Sequence, residues 1–374
     1  MWLFSSRCAS NTRLEGKTAI VTGCNTGIGK ETVLEFVKRG ARVIMACRDL
    51  QKAEAAAEDI RKKTKGMTGI GEVVVAKLDL ASLASVRECA QHLLRTEPRI
   101  NLLINNAGVM ACPKSNTQDG FEMQFGVNHL GHFLLTSLLM PRILRSTPAR
   151  IVNVSSHMHW FGNVDFEDLN WEKSYSPSLA YARSKLANVM FTYELAERLK
   201  GVTTYAVHPG IVHTELGRHL ESSSAVSIFK GILEYFFKTP KQGAQTTIYC
   251  ASDENVGKES GLYYRCYKTT NMRANADVQR GGSQVTKKLW EVSSKLVGLE
   301  DWDPFTAPDH PTTILMCAFV GADLRNLWVN SALASSYGNP LSYKQQKFVS
   351  NFTAQLPFWR DRAHYYMFCL MEHE

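Results

Sequence analysis

The sequence predicts a doubly wound α/β fold, a parallel sheet with helices on both faces. Three observations carry the prediction. From residue 17 to 265, short β-branched runs alternate with longer amphipathic stretches. The short runs are apolar throughout, as strands covered on both faces must be. A glycine-rich turn joins the first strand to the first helix, the position at which such sheets bind ligands.

The elements follow in order. Residues 18–22 (TAIVT) read as the first strand and 28–39 as a helix, with Gly40 just past its end. Residues 42–47 (RVIMAC) form the second strand, and 51–63, rich in Ala, Glu and Lys, the second helix. A third strand spans 73–78, a helix 83–96 and a fourth strand 101–104. Residues 121–144 read as one long helix, 150–154 as a strand, 179–199 as a helix and 202–207 as a strand. Such crossovers are right-handed. After His208, Pro209 and Gly210 comes an apolar cluster, 226–237. It reads either as a buried lid helix or as a hydrophobic substrate flap touching a bilayer through Phe229, Ile232 and Phe236. A helix-like stretch at 240–251, a last strand at 261–266 and a helix at 283–298 follow. Beyond residue 303 periodicity fades, broken by Pro304, Pro308 and Pro311. The expected organisation is a domain at 15–302 and a C-terminal extension at 303–374.

Composition narrows the class. The 374 residues are 44% hydrophobic and 21% charged, an ordinary globular mix that argues against a largely disordered chain. No window of about 18 uninterrupted apolar residues exists, so no spanning helix is expected. The balance of 43 basic and 35 acidic residues, +8, suits an anionic ligand or a membrane surface. No basic stripe interleaved with aromatics points to nucleic acid. Nine scattered cysteines, with no CxxC pair, read as reduced intracellular thiols. The first residues carry Arg7 and Arg13 without an acid before Glu15, which reads as a frayed end or a weak mitochondrial presequence. The expected location is the cytoplasm or the periphery of an endoplasmic reticulum or mitochondrial membrane.

The turn after the first strand holds Gly23, Asn25, Thr26, Gly27, Ile28 and Gly29. Its glycines allow close backbone approach, and the helix that follows offers free N–H groups and a positive dipole end to a pyrophosphate. The spacing is GxxxGxG rather than GxGxxG. About 20 residues on, an acid would bond a ribose 2′-hydroxyl. Cys47 stands there instead, followed by Arg48, whose planar fork suits a 2′-phosphate. NADP(H) is therefore favoured. Asp49 keeps NAD(H) open if it turns inward; its other reading is a cap on the next helix.

Tyr181 and Lys185 are spaced i, i+4 on a predicted helix and share a face. A tyrosine with a pKa of about 10 is too weak an acid–base group at neutral pH, and a nearby ammonium stabilises its phenolate. Ser155 and Ser156 end the preceding strand, where a hydroxyl reaches the sheet's carboxyl edge. Asn105, Asn106, Ala107 and Gly108 end the fourth strand. Asn128 lies within an apolar helix, as a proton or water path or as a satisfied structural amide. His157 and His159 could suggest a metal pair, but no carboxylate or thiol accompanies them and no metal is expected.

Taken in order, TGxxxGIG, Asp79 with Leu80, NNAG, Asn128, Ser156, YxxxK, and Pro209 with Gly210 resemble the short-chain dehydrogenase/reductase family, over about residues 15–300. The resemblance implies a Rossmann-like sheet and an enzyme acting on CH–OH or carbonyl groups. It implies that Tyr181 is the acid/base and that Lys185 holds the nicotinamide ribose and lowers the tyrosine pKa. Ser156, rather than Ser155, would polarise the carbonyl, and Asn128 would anchor a proton-relay water. Asp79 would meet the adenine, Asn105 border the cofactor and Thr214 touch its carboxamide. Leu80, Ala107, Gly108, Pro209, Gly210 and Val212 complete the implied cofactor set. Finer features resemble the retinol dehydrogenase branch: ACRD at 46–49, LDLAS at 78–82, NHLGHF at 128–133, SKLANV at 184–189 and YAVHPG at 205–210. The implied substrate is an apolar aldehyde or alcohol, retinal or retinol first. A steroid or lipid-aldehyde reductase and a weakly catalytic NADP-binding sensor are the alternatives. Membrane-bound members carry an apolar N-terminal anchor that is not seen ahead of the first strand here, so peripheral membrane contact is the form expected. Homo-oligomers are an expectation of the family.

Overall fold

Five consecutive buried residues, Thr18–Thr22, form the central strand β1. The computed structural model describes residues 8, 10–212, 238–265, 268–270, 276–307 and 309, with 268–270 and 276–282 described as backbone only. Strands β2 (Arg42–Cys47), β3 (Val73–Lys77), β4 (Leu102–Asn105), β5 (Ala149–Val154), β6 (Val202–His208), β7 (Leu262–Arg265) and β8 (Lys268–Thr270) complete one sheet. Their order is β3-β2-β1-β4-β5-β6-β7-β8. All neighbours are parallel except β7 and β8. The chain builds outward from β1 to β3, then returns to lay β4 on the other side of β1. That reversal leaves a crevice at the carboxyl ends of β1 and β4.

The helices are α1 (Gly27–Lys38), α2 (Leu50–Thr64), α3 (Leu83–Thr96), α4 (Gly131–Arg145), α5 (Pro177–Arg198), α6 (Pro240–Ser252) and α7 (Ala276–Leu296). α1 packs on α6, α3 on α4, and α5 on α7. On one face, Val33, Phe36 and Val37 of α1 and Ile248 of α6 form a continuous core with Val21, Ile104, Val152 and Val207 of the sheet. On the other face, Phe133, Phe191 and Trp290 join α4, α5 and α7 in an aromatic cluster. Phe305 stacks on Trp290 with ring centroids 5.6 Å apart, and Asp309 pairs with Arg142 at 2.6 Å. The rim opposite the crevice is tied by Arg42, which donates to Glu97 at 2.8 and 2.9 Å and also pairs with Glu72.

Three elements differ from the sequence expectation. The helix expected at 121–144 is interrupted: one turn, Met123–Phe125, leads into a five-residue π-helical turn, Gly126–Leu130, before α4 starts. The wider turn accompanies Asn128, whose side chain is drawn to the backbone of Val109, and periodicity does not register such a local demand. The last strand is shorter than expected and is followed by β8, while α7 begins at Ala276 rather than at 283. The apolar cluster at 226–237, the first seven residues and residues 310–374 lie outside the described residues. Among those described, no helix is long and apolar enough to cross a membrane.

Candidate active site

The turn between β1 and α1 is shaped by contact. Gly23 has φ +60°, and a Cβ there would stand 2.6 Å from the Cβ of Ala107. A Cβ on Gly29 would meet Asn106 Nδ2 at 2.6 Å and the Cα of Cys24 at 2.7 Å. The backbone of the turn therefore lies directly against the loop after β4. Thr26 caps α1 without a side-chain hydrogen bond, and no acid stands in the first turn. The first N–H groups of α1 are left to an anion, the arrangement that suits a pyrophosphate.

A cleft of about 290 Å³ opens there. Gly23, Asn25, Thr26, Gly27, Ile28 and Gly29 line it on one side, and Ala107 and Gly108 on another. Arg48, Asp79 and Leu80 close its far end with Asp49 and Lys52. Asp49 turns to cap α2, its carboxylate accepting from the Lys52 backbone at 3.0 Å. Arg48 is exposed. Cys47 is buried, with its Sγ 3.8 Å from that of Cys24. Asp79 accepts from the Ala81 backbone N–H at 3.0 Å, which bends the chain into this wall.

At its other end the cleft reaches Gly108, where a Cβ would lie 3.1 Å from Asn128 Oδ1 and 3.5 Å from Lys185 Nζ. The catalytic candidates gather behind this point. Lys185 Nζ stands 5.5 Å from the centre of the Tyr181 ring and donates to the Val154 carbonyl at 3.0 Å. Ser156 caps the short 3₁₀ turn His157–Phe161, and its hydroxyl lies near enough to the Tyr181 phenol to favour the phenolate. Ser155 faces away, giving its hydroxyl proton to the Lys185 carbonyl at 2.8 Å. Asn128 clamps Val109 at two points, accepting from its N–H at 2.8 Å and donating to its carbonyl at 2.9 Å. It also donates to Ser184 Oγ at 2.9 Å.

The electrostatics correct one expectation. Lys185 was expected to lower the Tyr181 pKa. Instead, burial pushes the phenol up to about 12, only partly opposed by the nearby Ser156 side chain. Burial also pulls Lys185 down to about 8. The ammonium is directed at a carbonyl, and both groups lose hydration on entering the protein.

A second correction concerns Asn105. It does not border the cleft but lies buried beneath it. Its amide donates to Thr136 Oγ1 at 3.0 Å and to Asn153 Oδ1 at 2.8 Å, and Asn153 in turn donates to Thr192 Oγ1 at 2.9 Å. Asn106 forms the wall instead, bonding the Thr22 and Gly23 carbonyls at 2.9 and 3.2 Å. Side-chain alternation along β4 carried the signal, since a buried Asn105 turns its neighbour outward. Met110, Met123 and Val127 also line the cleft, and the sequence did not single them out for it. Pro209 and Gly210 follow β6, with Gly210 at φ +96°. Val212 lies beside Ile28, because a Cβ on Gly243 would meet both, at 2.7 and 3.1 Å. Thr214 lies outside the described residues. His157 is exposed, whereas His159 is buried and hydrogen-bonded to the Ser156 carbonyl at 2.6 Å.

A doubly wound sheet with a glycine turn at its switch point, joined to a tyrosine–lysine–serine group, defines a nucleotide-dependent oxidoreductase. The short chain dehydrogenase profile matches residues 17–225. Retinol dehydrogenase 14 of Homo sapiens is 49% identical over 298 residues, covering 76% of this chain and 88% of that protein. Retinol dehydrogenase 11 of Mus musculus is 50% identical, covering 80% and 92%. Among solved structures, an uncharacterized protein from Mycobacterium Paratuberculosis is 36% identical with a TM-score of 0.61, covering 79% of this chain and 98% of its own. An NAD(P) dependent gluconate 5-dehydrogenase from Beutenbergia cavernae, with bound NADP, is 25% identical with a TM-score of 0.55, covering 69% and 97%. The chain belongs to the short-chain dehydrogenase family, oxidoreductases that use NAD(P) and act between CH–OH and carbonyl groups.

Proposed function

We propose that this chain moves a hydride between NADP(H) and an apolar aldehyde or alcohol, with retinal and retinol as the first pair. The observation that carries the reading is the convergence of Tyr181, Ser156, Lys185 and Asn128 at the Gly108 end of a cleft whose other end is a glycine turn. The uncapped α1 N-terminus and the side-chain-free contacts at Gly23 and Gly29 fit a dinucleotide. Arg48 beside Lys52, with Asp49 occupied as a helix cap, supports a 2′-phosphate and hence NADP(H) over NAD(H). The substrate class rests on the curated relatives, which are retinol dehydrogenases. Trp160, Phe161 and Ile211, exposed in the segments after Ser156 and β6, suit an apolar substrate and a peripheral bilayer contact. The catalytic domain is proposed to span 15–302, with 303–374 as an extension.

Bound nicotinamide supplies or accepts the hydride. In reduction, Tyr181 gives its phenolic proton to the substrate oxygen; in oxidation it takes that proton back. Ser156 donates to the same oxygen and stabilises the charge that develops there. Lys185 would hold the ribose hydroxyls, and Arg48 would fork onto the 2′-phosphate. Asp79 would meet the adenine; the carboxamide role that the resemblance implies for Thr214 falls outside the described residues.

Turnover of retinal and of a short aldehyde, each with NADPH and with NADH, tests the proposal. Retinal with NADPH is expected to be the best pair, and Tyr181→Phe to lower kcat about 10²–10⁴-fold. Arg48→Ala is expected to weaken NADPH binding far more than NADH binding. Wild-type turnover by Tyr181→Phe overturns the acid–base assignment, and equal loss for both nucleotides overturns the NADP assignment.

A further inference from the structure

His132 is buried in α4 and belongs to none of the roles assigned above. Its ring makes two hydrogen bonds, Nδ1 to the Asn128 backbone carbonyl at 3.0 Å and Nε2 to Thr22 Oγ1 at 2.8 Å. A carbonyl only accepts, so Nδ1 carries the proton. Burial pulls the imidazole down to about 4, and the neutral ring must then accept at Nε2. The Thr22 hydroxyl therefore gives its single proton to His132, since the Ile104 carbonyl lies further off, at 3.5 Å. Its lone pairs stay free for the backbone N–H groups of Asn106 and Ala107, both at 3.0 Å. These are the residues against which the glycine turn rests.

From the other nitrogen the path continues to the reacting side. Asn128 clamps Val109 and donates to Ser184 Oγ, and Ser184 donates to the Tyr181 carbonyl at 2.8 Å. One ring thus spans the end of β1 and the π-helical turn that carries Asn128.

We infer that His132 is a positioning residue for the reaction, setting the nucleotide-facing loop through Thr22 and the Tyr181 helix through Asn128. The inference rests on the hydride-transfer reading above. Its two arms predict separable losses. The Thr22 arm governs the loop at 106–107 and so the affinity for nucleotide. The Asn128 arm governs the groups around Tyr181 and so the chemical step.

The experiment measures the NADPH dissociation constant by fluorescence titration, and kcat with saturating NADPH, for three full-length variants. His132→Phe keeps ring volume and loses both bonds; it is expected to raise the Kd at least tenfold and lower kcat at least tenfold. Thr22→Val cuts the first arm alone, raising the Kd at least tenfold with kcat within threefold of wild type. His132→Asn keeps a donor for the Asn128 carbonyl, so it is expected to follow Thr22→Val. If His132→Phe does not fold, the other two variants carry the test. Values of Kd and kcat within twofold of wild type in His132→Phe overturn the inference. So does a fall in kcat with unchanged Kd in Thr22→Val and His132→Asn, the pattern of general destabilisation. Tyr181→Phe in the same series separates the two readings: wild-type turnover there removes the acid–base assignment and leaves the Kd prediction standing.

Discussion

Tyr181 and Lys185 sit one helical turn apart, and burial pushes their proton affinities in opposite directions. At pH 7 the phenol is protonated and the amine charged, the pair of states that reduction of a carbonyl requires. Oxidation draws on the phenolate, which burial disfavours at pH 7. The ammonium is lost as pH rises through about 8, because the folded pKa is the depressed one. The reduction rate is therefore expected to hold from about pH 6 to 7 and to fall above about pH 8. Lys185→Arg keeps its charge across that range and is expected to move the fall upward. An unchanged fall in that variant, read from the pH profile of kcat, removes Lys185 as its source. The i, i+4 spacing was legible in the sequence; that Ser155 would turn to the Lys185 carbonyl, leaving Ser156 on the Tyr181 side, was not. The direction of the shifts was not, because spacing says nothing about loss of hydration. His132 was illegible for a similar reason, since a histidine in an apolar helix reads as core until both of its partners are known.

At the scale of elements, the β1–α1 turn and the loop after β4 act as one piece. Gly23→Ala forces a Cβ toward the Cα and Cβ of Ala107, at 2.8 and 2.6 Å, and places alanine at φ +60°. The left-handed backbone alone costs about 1–2 kcal/mol. A loss of NADPH affinity of at least tenfold is expected, measured by titration, with the helical circular dichroism of the wild type retained. Affinity equal to wild type in a folded Gly23→Ala protein shows that this contact does not shape the nucleotide site. The turn was legible from its glycines and from its place between an apolar run and an amphipathic one. The break at Gly126–Leu130 was not, because its neighbours keep helical periodicity and the cause lies in a bond to Val109, in another segment. Asn105 was misplaced because the strand runs one residue past the expected end at 104, so that its side chain follows the buried alternation of β4.

Across the whole molecule, the strand order places the proposed chemistry at the carboxyl rim and ion pairs at the opposite one. Glu97, 3% exposed, is held by Arg42, which is 35% exposed. Glu97→Ala leaves a partly solvated guanidinium without that partner, at a cost of about 1–3 kcal/mol. The expected result is a Tm lower by about 2–5 °C in a thermal melt, with kcat unchanged. A fall in kcat at a temperature where the variant is fully folded shows that the two rims are coupled. The alternation of strands and helices made the parallel sheet legible from the chain alone. β8 was not, because a three-residue antiparallel edge strand has too few positions to show a period.

Beneath the crevice, Thr136, Asn105, Asn153 and Thr192 lace α4, β4, β5 and α5 together in one buried row. Asn105 and Asn153 stand opposite each other only in the register observed. A slip of one residue between β4 and β5 would strand several of these groups dry, at about 1–3 kcal/mol each. The sheet therefore proofreads its own alignment at the spot where a sliding error would carry the catalytic helix away from its cofactor.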